Sequence, residues 1–295
     1  MTVENMNVEQ CHSPPPELGK RERFRIFLRN SETGQFMGRT GASWAKILLC
    51  CAVLCGFFGA SLATVFYQTE NSNPGLGIEP MTTDSDLIYY KASDVQSYLH
   101  WTKQLDAFLS HYGQTSMTHG VADTRVLCDY DNPPLPGKVC LPDVELWQPC
   151  SQHNSYNYQK SAPCIFLKLN KIFGWMPQIY NDTSKLPSNM PADLKSHITN
   201  VQSQNRKTVN TLWVSCEGKS PVDVENIGPI QYIPQRGFPG YYFPFTNTTG
   251  YLSPLVAVLF ERPMRGILIN IECKLWAQNI HHDRFGTVNF ELMVD

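Results

Sequence analysis

Two Asp-x-Asp pairs, Asp84-Ser85-Asp86 and Asp129-Tyr130-Asp131, and the run His281-His282-Asp283 are the residues whose types and spacing could do chemistry. An Asp-x-Asp pair can hold a metal ion and, through it, the phosphates of a nucleotide sugar, as in Golgi glycosyltransferases. That chemistry wants the pair at the end of a buried parallel strand, and no alternating strand–helix pattern precedes either one. The first pair falls in a stretch that reads as a stalk. The second sits in a proline-rich loop beside Cys128. The histidine run has no companion pair at ligand spacing, so it reads as a solvated turn. No Gly-x-Ser-x-Gly, phosphate-cradling glycine loop or His-Glu-x-x-His is present. The reading is of a chain with no catalytic set, no cofactor and no metal.

Cysteine is the other reactive residue, and its 10 copies are unevenly placed. Cys11 is in the N-terminal stretch, and Cys50, Cys51 and Cys55 lie inside a long apolar run. Cys128, Cys140, Cys150, Cys164, Cys216 and Cys273 are spread over the remainder. Six cysteines in an oxidising compartment should pair, and spacing alone leaves all 15 connectivities open.

The compartment follows from the apolar run. No residue from Ile47 to Tyr67 is charged. As a helix rising ~1.5 Å per residue, that stretch covers the ~30 Å hydrocarbon layer. Trp44 and Tyr67 bracket it as interfacial aromatics do. A cleaved signal would start nearer the N-terminus and be shorter, although Ser61-Leu62-Ala63 could mimic a cleavage site. Lys20, Arg21, Arg23, Arg25, Arg29, Arg39 and Lys46 precede the run, and the next basic residue after it is Lys91. Positive charge stays in the cytosol, so the expected topology is single-pass type II, with the C-terminal part outside. Cys51, Cys55, Gly59 and Ala63 recur every four residues, giving a small face that another membrane helix could approach. The three cysteines here read as small packing residues; reversible palmitoylation is the alternative, although they are not strictly juxtamembrane.

The outer part reads as mainly β. "GILINIECKLW" alternates, with Ile267, Ile269, Ile271 and Cys273 on one side. Leu212, Val214 and Cys216 share a face, as do Val288, Phe290, Leu292 and Val294. Cys216 and Cys273 thus both fall on apolar strand faces, where they could bridge. One helix precedes the strands: Ser93-Asp94-Val95-Gln96 fits a capping box, an apolar stripe runs from Val95 to Tyr112, and Gly113 suits its end. Short strands between Gly/Pro turns imply an antiparallel sandwich, while loop signals dominate between about 114 and 160. Sequons at Asn181 and Asn247 lie on the side that would meet the secretory lumen. A formal net charge of −2 excludes the basic excess of a nucleic-acid binder.

Several of these segments resemble the β subunit of the sodium/potassium ATPase and related potassium-countertransporting P-type pumps. "FLRNSETGQFMGRTGASWAKILL" is similar to that family's Asn-Ser-Glu and Gly-Arg-Thr-Gly-x-Ser-Trp signature before the anchor. "APCIFLKLNKIFGWMP", "CEGKSPVDVENIGPIQYIP", "YLSPLVAVLF" and "DRFGTVNFEL" follow in the family's order. The resemblance implies the bridges Cys128–Cys140, Cys150–Cys164 and Cys216–Cys273, an immunoglobulin-like ectodomain and no catalysis. It implies a partner, the catalytic α subunit, which needs the β chain to fold and reach the plasma membrane and whose potassium handling the β chain tunes. Contacts with α would fall on Cys51, Cys55 and Gly59 in the anchor and on Tyr242, Phe243 and Phe245 outside. Two departures stand out: Cys51 and Cys55 replace the family's anchor tyrosines, and Tyr242-Phe243-Pro244-Phe245-Thr246-Asn247 replaces Tyr-Tyr-Pro-Tyr-Tyr-Gly. Homophilic adhesion, which some family members also serve, is the competing role. The expected organisation is a cytoplasmic tail at 1–43, a transmembrane helix in the lipid bilayer at 44–67, a stalk at 68–91, and a bridged, glycosylated extracellular domain at 92–295.

Overall fold

The computed structural model describes residues 21, 24, 27–30, 34–37, 39–70, 74–81, 86–113, 124–282 and 285–295. The chain divides into two units, Met1–Asn71 and Ser72–Asp295. The pair Asp84-Ser85 and the residue Asp283, both part of candidate motifs, lie outside the described residues.

The first unit is dominated by helix α1, Gly41–Glu70, 30 residues long. Its portion Gly41–Leu62 is the one helix among the described residues long and apolar enough to cross a membrane. None of that window is buried within the protein, so a nonpolar solvent or a partner has to cover it. Before the helix, Arg29–Asn30 and Gln35–Phe36 form a two-residue antiparallel ladder. The Trp44 indole N–H donates to the Phe36 carbonyl at 2.8 Å, which ties this ladder to the first turn of α1.

The second unit is built from two sheets. Strands β1 (Leu76–Glu79), β3 (Cys164–Leu169), β7 (Leu255–Phe260) and β5 (Ile230–Ile233) form a four-stranded sheet in that order. Strands β6 (Gly237–Pro239), β4 (Thr211–Gly218), β8 (Ile269–Trp276), β9 (Thr287–Val294) and β2 (Leu87–Tyr90) form a five-stranded sheet. All pairings in both sheets are antiparallel except β2 with β9. Residues from both sheets join one core, with Phe260 of β7 against Phe290 of β9 at 6.1 Å between ring centres.

Strands β1 and β2 correct the expected stalk at 68–91, because part of that stretch is an integral edge of each sheet. Their partners lie far along the chain, so nothing local announces them. The alternation in β8 is realised: Ile269, Ile271, Cys273 and Leu275 are all buried. Ile267 is the exception and is exposed. The strand starts only after the turn at Gly266, whose φ of 72° suits glycine.

Helix α2 (Val95–Gly113) packs on the core through Tyr98, Trp101, Thr102, Leu105 and Tyr112. Its start differs from the expected capping box. The Asp94 carboxylate, not Ser93, accepts the Gln96 N–H at 3.0 Å, and Ser97 Oγ accepts the Lys91 N–H. Val95, placed on the stripe by spacing, is exposed. Residues 124–163 hold short 3₁₀ turns and a two-residue ladder, Arg125–Val126 with Val139–Cys140.

Two further helices correct the all-strand reading of the C-terminal half. Helix α3 (Ala192–Gln204) presents Leu194, Ile198 and Val201, at helical spacing, to Trp213 and Trp276 on the outer side of the five-stranded sheet. Helix α4 (Pro221–Asn226) starts from a full capping box between Ser220 and Asp223. Asp223 is buried, yet its carboxylate accepts from the Ser220 hydroxyl at 2.6 Å and from the Ser220 and Asn270 backbone N–H groups. The Ser220 hydroxyl first, with those backbone N–H groups, holds this carboxyl below the usual carboxylate range. Gly218 makes this approach possible: a Cβ there would lie 2.3 Å from the Val224 nitrogen.

Candidate interaction site

Of the motifs weighed for chemistry, Asp129-Tyr130-Asp131 and His282 fall among the described residues, and both have structural partners. Asp129 accepts N–H bonds from Asp131 and Asn132 at 2.7 Å, and the Asn132 side chain first, with these backbone bonds, holds its carboxyl below the usual range. Asp131 pairs with Lys207. Tyr130 points the other way, its hydroxyl sharing a 2.7 Å hydrogen bond with Thr211 and accepting from Gln235. The loop is therefore a clip onto β4, with both carboxylates committed. His282 contacts the Leu275 carbonyl through Nε2 at 2.6 Å and packs on Trp276, so it is a wedge rather than a free turn residue. Among the described residues no three metal-binding side chains converge.

Three disulfides fasten the second unit: Cys128–Cys140, Cys150–Cys164 and Cys216–Cys273. The last joins residues directly opposite each other on β4 and β8, within one sheet. In antibody domains the comparable bridge runs between sheets. Beside it, β6 parts from β4 after Trp213, leaving an open strand edge. Side chains complete that edge: Arg236 Nε donates to the Val214 carbonyl at 3.1 Å, and the Tyr232 hydroxyl accepts the Cys216 N–H at 2.7 Å. The Arg236 guanidinium also stacks on the Tyr232 ring and pairs with Asp193 of α3 at 2.8 Å.

The aromatic segment expected at a partner contact is half sunk into its own domain. Tyr242 packs on Tyr241 at 5.0 Å, and burial pushes its hydroxyl pKa upward. Phe243 meets Trp175 edge-on at 5.6 Å, and Phe245 meets Tyr251 at 4.9 Å. The Lys171 ammonium lies over both the Phe245 and the Tyr251 rings. The Gly174 N–H donates to the Phe245 carbonyl at 2.9 Å, linking the segment to the turn 172–176. In that turn, Phe173 is 72% exposed and Met176 51% exposed. Neither was singled out by sequence reasoning, although "KIFGWMP" carries a signal: four large apolar residues around a turn glycine. Tyr242, Phe243 and Phe245 thus form the floor of an apolar edge beside which Phe173, bridged to Phe245, stands exposed.

In α1, Cys51, Cys55 and Gly59 are exposed, and Cys50, Cys51 and Cys55 are free thiols. A Cβ added at Gly56 or Gly59 would meet no described atom within 4 Å beyond the helix's own backbone. Asn181 and Asn247 are both exposed, with Asn247 at a left-handed turn of φ 54°.

The model of the sodium/potassium ATPase beta chain family matches residues 15–290. The chain belongs to that family. Among curated relatives, the sodium/potassium-transporting ATPase subunit beta-2 of Drosophila melanogaster is 45% identical, covering 97% of this chain and 96% of its own. Subunit beta-1 of the same organism is 36% identical over 95% of each chain. Human subunit beta-2 is 29% identical over 93% of this chain and 94% of its own. The segment "CEGKSPVDVENIGPIQYIP", one of those that resemble the family, now has a physical account. It carries the bridge cysteine, the glycine that admits α4, the capping box and the tyrosine that seals the edge of β4.

Proposed function

We propose that this chain is the non-catalytic β subunit of a sodium/potassium-exchanging P-type pump. It is anchored once in the plasma membrane in type II orientation, with its bridged, immunoglobulin-like lobe outside the cell. The observation that carries this reading is the pairing of an apolar helix with no cover of its own and a self-sufficient, three-bridge domain in a member of this family. A multi-helix pump leaves polar membrane helices poorly covered while it is being made. The small face at Cys51, Cys55 and Gly59 lets α1 approach such a helix closely. The aromatic edge from Phe173 to Phe245 suits a loop of the same partner outside the membrane. Modulation of potassium affinity follows if the edge binds one pump state better than another; a preference of ~1 kcal/mol changes affinity several-fold.

The test is co-expression with a P-type α subunit. The expected result is recovery of both chains together in mild detergent, greater surface delivery of α, and potassium-dependent ATP hydrolysis. Absence of any α partner after native pull-down, or protection of the C-terminal lobe on the cytosolic side, overturns the reading.

A further inference from the structure

We propose that the N-linked glycan at Asn181 is seated against its own domain, in the groove beside α3 that Gln202, Arg206 and Asn210 line. The inference rests on the extracellular placement proposed above, which brings the sequon into the secretory lumen. Asn181 itself forms part of the wall of this groove, whose volume is about 740 Å³. Sites of ~300–1,000 Å³ commonly hold small organic ligands.

The local geometry holds Asn181 at the rim. The Asp182 carboxylate accepts the Ser184 N–H at 2.9 Å and its hydroxyl at 2.7 Å, so the middle residue of the sequon is committed to its own turn. Asn181 stays exposed. Across the groove, Gln202 and Arg206 make no side-chain hydrogen bond or ion pair among the described residues, whereas the Asn210 amide is packed over Gly240. Gln202 and Arg206 leave amide and guanidinium donors unspent on a concave surface. Lys207, the neighbouring cation, is already held by Asp131.

An N-acetylhexosamine fits this chemistry. Its hydroxyl oxygens and acetamido carbonyl accept from the amide and guanidinium N–H groups, and its apolar ring face meets Pro177 and Ile179 on the near wall. The covalent link makes the docking intramolecular, so contacts too weak to capture a free sugar still hold a tethered one. Asn247 provides an internal control, because it sits on an exposed turn beside Thr246 and Thr248.

The experiment is native deglycosylation of the full chain, made in cultured cells and extracted in mild detergent, with peptide N-glycosidase. Release at each asparagine is followed by mass spectrometry of glycopeptides. The Asn181 glycan is expected to be released about tenfold more slowly than the Asn247 glycan, a factor equivalent to ~1.4 kcal/mol of docking. The gap should close on denaturation and in the surface double variant Gln202→Ala/Arg206→Ala. Equal native rates, a gap unchanged in the double variant, or an Asn181 that stays bare while Asn247 is glycosylated each overturn the docking. If both asparagines are bare, the extracellular placement fails, and that outcome is distinct from a docking failure.

Discussion

Leu49 and Leu212 are the same side chain in opposite surroundings. Leu49 in α1 is 67% exposed, while Leu212 in β4 is fully buried. The contrast extends to whole elements, since Leu48, Leu54, Phe57 and Phe58 of α1 are exposed whereas Val214, Ile271 and Leu292 of the sheets are covered. Water penalises both sets equally, at ~25 cal/mol per Å² of apolar area left uncovered. The second unit meets that penalty by closing two sheets over a core. The first leaves it to whatever surrounds the helix, which is why its composition is more informative than its fold.

Breaking the second unit's self-sufficiency should have the largest effect. Cys216→Ser opens a bridge between residues 57 apart in sequence. By chain entropy a loop of that size is worth about 4 kcal/mol. The expected outcome is a strong fall in the thermal midpoint of the detergent-extracted chain and retention in the endoplasmic reticulum. Normal surface delivery of this variant would show the lobe to be held by packing alone.

The leucine pair sharpens the comparison. Leu212→Ala opens a cavity in the closed core and should cost about 2–5 kcal/mol. Leu49→Ala removes a side chain that touches little of the protein, so the lobe's unfolding should move by less than about 0.5 kcal/mol. Circular dichroism melts of the two variants measure this. Equal losses would mean that α1 contributes to the stability of the second unit.

The two regions also differ in how much of each was legible in the sequence. The helix could be read because a run of some twenty uncharged residues has few other uses. The faces of β8 and β9 could be read because alternation is local, and the resemblance supplied the bridge partners that spacing left open. The failures share a cause. Strand β2 pairs in parallel with β9 at the far end of the chain, so its role depends on a partner that no nearby residue reveals. Helix α3 shows only Leu194, Ile198 and Val201 in an otherwise polar stretch, enough to cover two tryptophans but little periodic signal. Helix α4 was legible in principle, since Ser220-Pro221-Val222-Asp223 is a capping box with proline at the first turn. At the aromatic edge, the resemblance implied a contact, but which rings face outward depends on the turn at Gly174. That turn lifts Phe173 out while Phe243 sinks against Trp175.

The smallest effect concerns the seam between α3 and the edge of β4. His197 lies against the Trp213 ring at 5.7 Å. Burial first, and the nearby Arg236 guanidinium second, push its pKa below the ordinary value, with Asp193 opposing them. The folded state therefore prefers the neutral imidazole, and the unfolded chain binds the proton more readily. The sign follows: this contribution is complete above the ordinary histidine pKa of ~6.5, is lost as pH falls through it, and levels off below the folded pKa. The ring is only half buried, so solvent screening limits the loss to about a few tenths of a kcal/mol. His100 on α2 is shifted the same way by burial, so the whole chain should soften further between pH 7.5 and 5.5. His197→Gln isolates the seam's share, because glutamine cannot titrate. Melts of this variant should show a smaller drop over that interval than the parent chain. An identical drop would place the pH sensitivity elsewhere and leave the seam a neutral packing contact.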